Sequence, residues 1–106
     1  MRRAIAVTLT RHRTYQVPFH ILLGGCLAAL GRMRAQVEQQ DLERGVIVAT
    51  VGAGLLAPVS ELALTIAPLD EGRASLSVIW RARKLGGDRV ILPVFLESVD
   101  SLVGKT

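Results

Sequence analysis

Residues 61–83 constrain the fold more than any other stretch. "ELALTIAPL" places Leu62, Leu64 and Ile66 on alternate positions. "DEG", Asp70 to Gly72, is a turn signal, and "RASLSVIWRAR" follows it. There Ala74, Leu76, Val78 and Trp80 face one way, and Arg73, Ser75, Ser77, Ile79, Arg81 and Arg83 face the other. Period-two alternation on both sides of a turn is the pattern of an antiparallel hairpin. One face of that hairpin is apolar and must be covered by something else in the chain.

Helices supply the cover. From Phe19 the period changes to steps of three and four through Leu22, Leu23, Cys26, Leu30, Met33 and Val37. That is the apolar stripe of a helix, with Pro18 in its first turn. The far side of the same helix carries small residues: Gly24, Ala28, Gly31 and Ala35, with Gly25 and Ala29 alongside. Each helix-interior glycine costs about 1 kcal/mol against alanine. Close approach of another backbone is the usual compensation. A last helix is expected from Asp88, as N-cap, to Leu102, with a stripe of Leu92, Phe95, Leu96, Val99, Leu102 and Val103. Pro93 falls in its first turn or kinks it, and Gly104 ends it.

The other strands are read the same way. "RAIAVTLTR", Arg3 to Arg11, alternates, and "HRTYQ" reads as a polar connection. "AQVEQQDLERG" holds a short strand and a turn. "GVIVATV", Gly45 to Val51, is apolar on both faces, as in a strand covered on two sides. "GAGLLAPVS", residues 52–60, is a loop by its Gly and Pro, yet it carries Leu55, Leu56 and Val59. The expectation is one α+β domain over residues 1–106: an antiparallel sheet of four to five strands against two helices, in the order β-α-β-β-β-α with a short strand after the first helix.

Composition bears on what such a domain meets. Half of the 106 residues are hydrophobic, and the mean hydropathy is +0.39. A small domain has much surface for its volume, so some apolar area is expected to contact a second copy, an apolar ligand, a membrane or a protein partner. The net charge is +4, from eleven Arg and two Lys against nine acidic residues. Basic chains attract phosphates, but the arginines are dispersed and aromatics are few, so nucleic acid is the weaker expectation. No apolar run is long enough to span a bilayer. The first thirteen residues fall short of the apolar core of a secretory signal. A single Cys fits a reducing, cytoplasmic setting.

A resemblance covers roughly residues 17–103. "AALG" at 28–31, Val37, Asp41, "GVIVA" at 45–49, "LTIAPLDEGRASLSV" at 64–78, "GGD" at 86–88 and "FLESVDSL" at 95–102 carry it. Together they resemble small bacterial domains of unknown function with a reduced helix-grip arrangement. In that arrangement an antiparallel sheet embraces a C-terminal helix. The resemblance implies an apolar ligand between sheet and helix, and it supplies no catalytic residue.

No reaction chemistry stands out. "LGGC", Leu23 to Cys26, has the form of a lipoprotein box, but His20 interrupts the apolar run before it and the helical period continues after it. Cys26 is therefore read as a buried thiol. His12, His20 and Cys26 lack metal-ligand spacing. Asp41 with Glu43 and Asp70 with Glu71 sit in turns, and Glu97 with Asp100 on the solvent side of the last helix. "GAG" at 52–54 and "GKT" at 104–106 lack the strand–loop–helix context of a phosphate loop. The expectation is a non-enzymatic interaction module without cofactor or metal. Its contact residues are Gly24, Gly25, Ala28, Gly31 and Ala35 on the first helix, and Leu55 and Leu56 in the apolar loop. The alternatives are a small apolar ligand held between sheet and helices and, at lower weight, nucleic acid on Arg73, Arg81, Arg83 and Lys84.

Overall fold

The computed structural model describes residues 7–52, 60–82 and 88–104. The elements are β1 (Val7–Tyr15), α1 (Phe19–Arg32), β2 (Gln36–Asp41), β3 (Val46–Val51), β4 (Ser60–Asp70), β5 (Arg73–Ala82) and α2 (Asp88–Val99). A π-helical turn, Asp100–Gly104, follows α2. Among the described residues the strands form a five-stranded antiparallel sheet in the order β1-β5-β4-β3-β2. Both helices lie on one face of it, giving the expected two-layer α+β architecture.

The hairpin pattern is realised as read. Leu62, Leu64 and Ile66 of β4 are fully buried beside Leu76, Val78 and Trp80 of β5. The register pairs Leu62 with Trp80, Leu64 with Val78 and Ile66 with Leu76. At the turn, Asp70 accepts from the Gly72 N–H at 2.9 Å and from Arg73 Nε at 2.9 Å. These bonds hold the Asp70 carboxyl below the usual carboxylate range. Pro68 sits within β4 beyond Thr65, the last β4 residue paired to β3 at that end, so its missing N–H costs no ladder bond there.

Four expectations change. β1 runs through to Tyr15, so "HRTYQ" is mostly strand rather than connection. Its inner face there carries Arg11 and Arg13, which stay exposed; inward-pointing charge on an edge strand blocks sheet extension. β3 is buried on one face only, through Ile47, Ala49 and Val51, while Val46, Val48 and Thr50 are half-exposed. Helix α1 stops at Arg32, so Val37 lies in β2, 39% exposed. The stop is a Schellman motif: Arg34 takes φ 58°, Ala35 N bonds Leu30 O at 3.0 Å, and Arg34 N bonds Gly31 O at 3.0 Å. Finally, the π turn after α2 rotates Leu102 outward (37% exposed) and leaves Val103 packed against the core.

An arginine at the left-handed position of that motif is strained. Arg34→Gly is therefore expected to raise stability by about 0.5–1 kcal/mol, read as a higher urea midpoint at unchanged slope. An unchanged or lowered midpoint would show that the Arg34 side chain compensates for its backbone.

Candidate functional site

The gripped face of the sheet, between β3–β4–β5 and the two helices, is the candidate site. From the sheet come Ile47, Ala49, Leu62, Leu64, Ile66, Leu76, Val78 and Trp80, and from α2 Leu92, Phe95, Leu96 and Val99, all buried. Strand alternation puts the sheet residues on one face, and the 3.6-residue period puts the α2 residues on one stripe. Pro93 lies inside α2, as its sixth residue. It removes a helical N–H, so α2 is a weaker helix than its length suggests.

Polar groups mark two ends of this face. At one end the Tyr15 hydroxyl donates to Asp100 Oδ1 at 2.7 Å, and Arg13 Nη1 lies 3.4 Å from Asp100 Oδ2. These bonds tie the edge strand to the turn that closes α2. Asp100 thus faces β1, not the solvent side expected for it; the π turn brings it round. At the other end Ser60 Oγ and Trp80 Nε1 are buried, and among the described residues neither has a hydrogen-bond partner.

Burial and the bond to Asp100 raise the Tyr15 hydroxyl well above the usual phenol range. Burial pushes the Cys26 thiol up to about 12. A protonated, enclosed thiol is a poor nucleophile, which agrees with its place on the buried side of α1. Both acids keep protons in the folded chain that the unfolded chain releases. The Cys26 contribution to stability is therefore full below about pH 9 and falls as pH rises through about 12, by about 1 kcal/mol per pH unit, and that of Tyr15 is full below about pH 10 and falls above it. Urea denaturation of the wild type and Cys26→Ala between pH 8 and 11 checks this. The variant is expected to show the shallower alkaline slope; equal slopes would remove Cys26 as a source.

The residues expected to form a contact surface divide. Gly24, Ala28 and Gly31 are exposed on the outer side of α1, and a Cβ at Gly24 or Gly31 meets nothing within 4 Å. Gly25 is a correction. It is buried, and a Cβ there would collide with Val103 Cγ1, so its missing side chain admits the chain's own C-terminal turn. Ala35 is also corrected: it lies beyond the end of α1 and packs, half-buried, on the core. Leu55 and Leu56 lie outside the described residues.

On the outer face of the sheet, Arg73 pairs with Asp70 at 2.8 Å and Arg81 with Glu61 at 3.6 Å. His12 Nδ1 lies 2.8 Å from Ser77 Oγ on the same face. The two described arginines of the expected basic cluster thus have carboxylate partners, and Arg83 and Lys84 lie outside the described residues. Among the described residues no helix is long and apolar enough to cross a membrane. The signal for the polar ends was faint in sequence: Ser60 reads as the end of an apolar loop but opens β4, Trp80 reads as an inward core residue, and Tyr15 stands in what reads as a polar segment.

No protein-family model and no curated protein sequence matches the chain. Solved structures do. The chain is similar to the crystal structure of Ara h 8.0201, with a TM-score of 0.68 and 11% identity over 91% of this chain and 96% of that one. It is also similar to norcoclaurine synthase from Thalictrum flavum in complex with dopamine and hydroxybenzaldehyde, with a TM-score of 0.56 and 7% identity over 93% and 87%. At such identities the likeness is one of fold. The helix-grip arrangement, a sheet holding a C-terminal helix, is the part of the sequence resemblance that these structures share.

Proposed function

We propose that this chain is a non-enzymatic binder of a small apolar molecule held between the sheet and α2. One observation carries the reading: the chain has the fold of a structure that holds two small aromatic molecules, dopamine and hydroxybenzaldehyde, and its own gripped face is lined by apolar side chains. Pockets for such molecules are mostly apolar with a few placed polar groups. The face is closed, so a guest enters by parting α2 from the sheet, and the cost of opening lowers its apparent affinity. The interior Pro93 makes α2 the element that yields.

Native mass spectrometry of the full chain with 2-acetylnaphthalene, a neutral aromatic ketone, tests the proposal, together with the thermal midpoint. A one-to-one adduct and a midpoint that climbs with concentration are expected. No adduct and a flat midpoint up to the solubility limit would overturn it.

A second reading, self-association, is favoured by the open outer side of α1. Gly24, Ala28 and Gly31 present almost no side chain there, which lets a second helix approach closely in a two-fold dimer. Since nothing within the chain meets a Cβ at Gly24, Gly24→Ala is expected to stabilise the folded monomer by about 1 kcal/mol. Gly24→Leu is expected to halve the sedimenting mass while far-ultraviolet dichroism stays unchanged. An equal mass for wild type and Gly24→Leu would end this reading.

A further inference from the structure

We infer that the ligand carries a neutral carbonyl oxygen, and that Trp80 Nε1 and Ser60 Oγ are the donors that hold it. The inference rests on the ligand-binding reading above and names the chemistry of its polar end.

Both atoms are orphans among the described residues, and each exposes under 1 Å². Their residues are 0% and 1% exposed. An indole N–H can only donate, and a hydroxyl can donate or accept. Buried polar groups almost always find partners, and a pair left without them needs an explanation. The register places this pair together. Ser60 sits opposite Ala82, and Trp80 opposite Leu62, one pair along on the same inner face. Diagonal neighbours of that kind are roughly 7–8 Å apart, within reach of one shared group for a side chain as long as Trp.

The electrostatics select the acceptor. A carbonyl oxygen has two lone pairs and takes both donors. A carboxylate would bring a charge into an apolar interior, and an unpaired buried charge is costly. The nearby described cation, Arg81, alternates to the outer face and pairs there with Glu61 at 3.6 Å. Two cations lie on the inner face of β1: Arg13 pairs with Asp100 and sits opposite Leu76, four residues along β5 from Trp80, and Arg11 sits opposite Val78 but stays exposed and donates to the Thr10 carbonyl at 2.9 Å. The guest therefore lays its apolar body along Leu62, Leu64, Val78 and Phe95 and turns its carbonyl toward Ser60 and Trp80.

The test compares 2-acetylnaphthalene with 2-isopropenylnaphthalene, which replaces the carbonyl oxygen by a methylene of similar shape. Affinities for both are measured in wild type, Ser60→Ala and Trp80→Phe by calorimetry, and the carbonyl stretch of the bound ketone is recorded by infrared difference spectroscopy. In wild type the stretch is expected to lie below its value in hexane, as for an oxygen accepting two hydrogen bonds. The ketone-to-alkene affinity ratio is expected to fall about tenfold in Trp80→Phe and several-fold in Ser60→Ala. A wild-type stretch at the hexane value overturns the inference without any variant. So does an affinity ratio that neither substitution changes; in both cases binding itself still stands. If neither compound binds wild type, the ligand-binding reading fails and this inference falls with it.

Discussion

Gly45→Ala is expected to destabilise the chain by about 2–5 kcal/mol, a large share of what a domain of this size possesses. Gly45 adopts φ 74° in the turn between β2 and β3. A residue with a Cβ loses about 1–2 kcal/mol in that region. The turn also presses on the sheet: Ile66 N donates to Gly45 O at 2.7 Å. A Cβ at Gly45 would collide with the Ile66 carbonyl oxygen and come within 2.9 Å of Phe19 Cε1. The carbonyl belongs to a central strand and cannot retreat without breaking the β4 ladder, so overpacking adds a further 1–3 kcal/mol or so. Gly72→Ala is the control. It also sits in a hairpin turn, but a Cβ there meets nothing within 4 Å. Urea denaturation is expected to show a much lower midpoint for Gly45→Ala and a shift under about 0.5 kcal/mol for Gly72→Ala. Equal effects would mean that the β2–β3 turn does not bear on Ile66.

Phe95→Ala is expected to cost about 3–5 kcal/mol and, in the surviving folded population, to create a benzene-sized binding site. Phe95 is fully buried on α2. Truncating it removes a large apolar contact at the place where the helix meets the sheet. Cavities lined by such residues stay dry and take up small apolar guests. Benzene is therefore expected to restore part of the lost stability, with no matching effect on wild type. A loss under about 1 kcal/mol would show that α2 settles onto the sheet and fills the gap. That outcome would also weaken the case for α2 as the wall of a ligand site.

The elements read correctly from sequence are those whose own residues carry the full signal. β4 and β5 announce themselves by alternation and by the Asp70–Gly72 turn, and their burial follows that alternation from Ser60 to Ala67 and from Arg73 to Ala82. The inner stripe of α1 is legible in the same way, down to Cys26 on its buried side. The errors share a different cause. Nothing in "GRMRAQV" signals a stop, because Arg34 rather than glycine takes the left-handed position. The strand character of His12–Tyr15 comes from pairing with Ser77–Ala74, not from its polar residues. The rotation that brings Asp100 to Tyr15 arises in a π turn that the helical period of "FLESVDSL" conceals.

The candidate site divides on the same line. Its apolar lining was present in the alternation. Its polar ends were not, since Ser60 reads as the end of a loop and an inward Trp looks like a core residue until its neighbours are known. Gly25 and Gly24 make the point most compactly. They are adjacent, chemically identical and part of one small-residue pattern. One is closed over by Val103 and the other is open.

The sequence by itself determined the two layers, the hairpin and its apolar face, the inner stripe of α1, and the apolar surplus that calls for a guest or a second copy. These are local properties: a period of 2 or 3.6 residues and a turn need only a few neighbours along the chain. Tertiary structure alone decided which glycine is buried, which arginines are neutralised, that Tyr15 reaches Asp100, and that Ser60 and Trp80 share a face with no partner among the described residues. Apart from the local Arg73–Asp70 pair, those facts join residues 20 to 87 positions apart, and distance along a chain carries no record of distance in space.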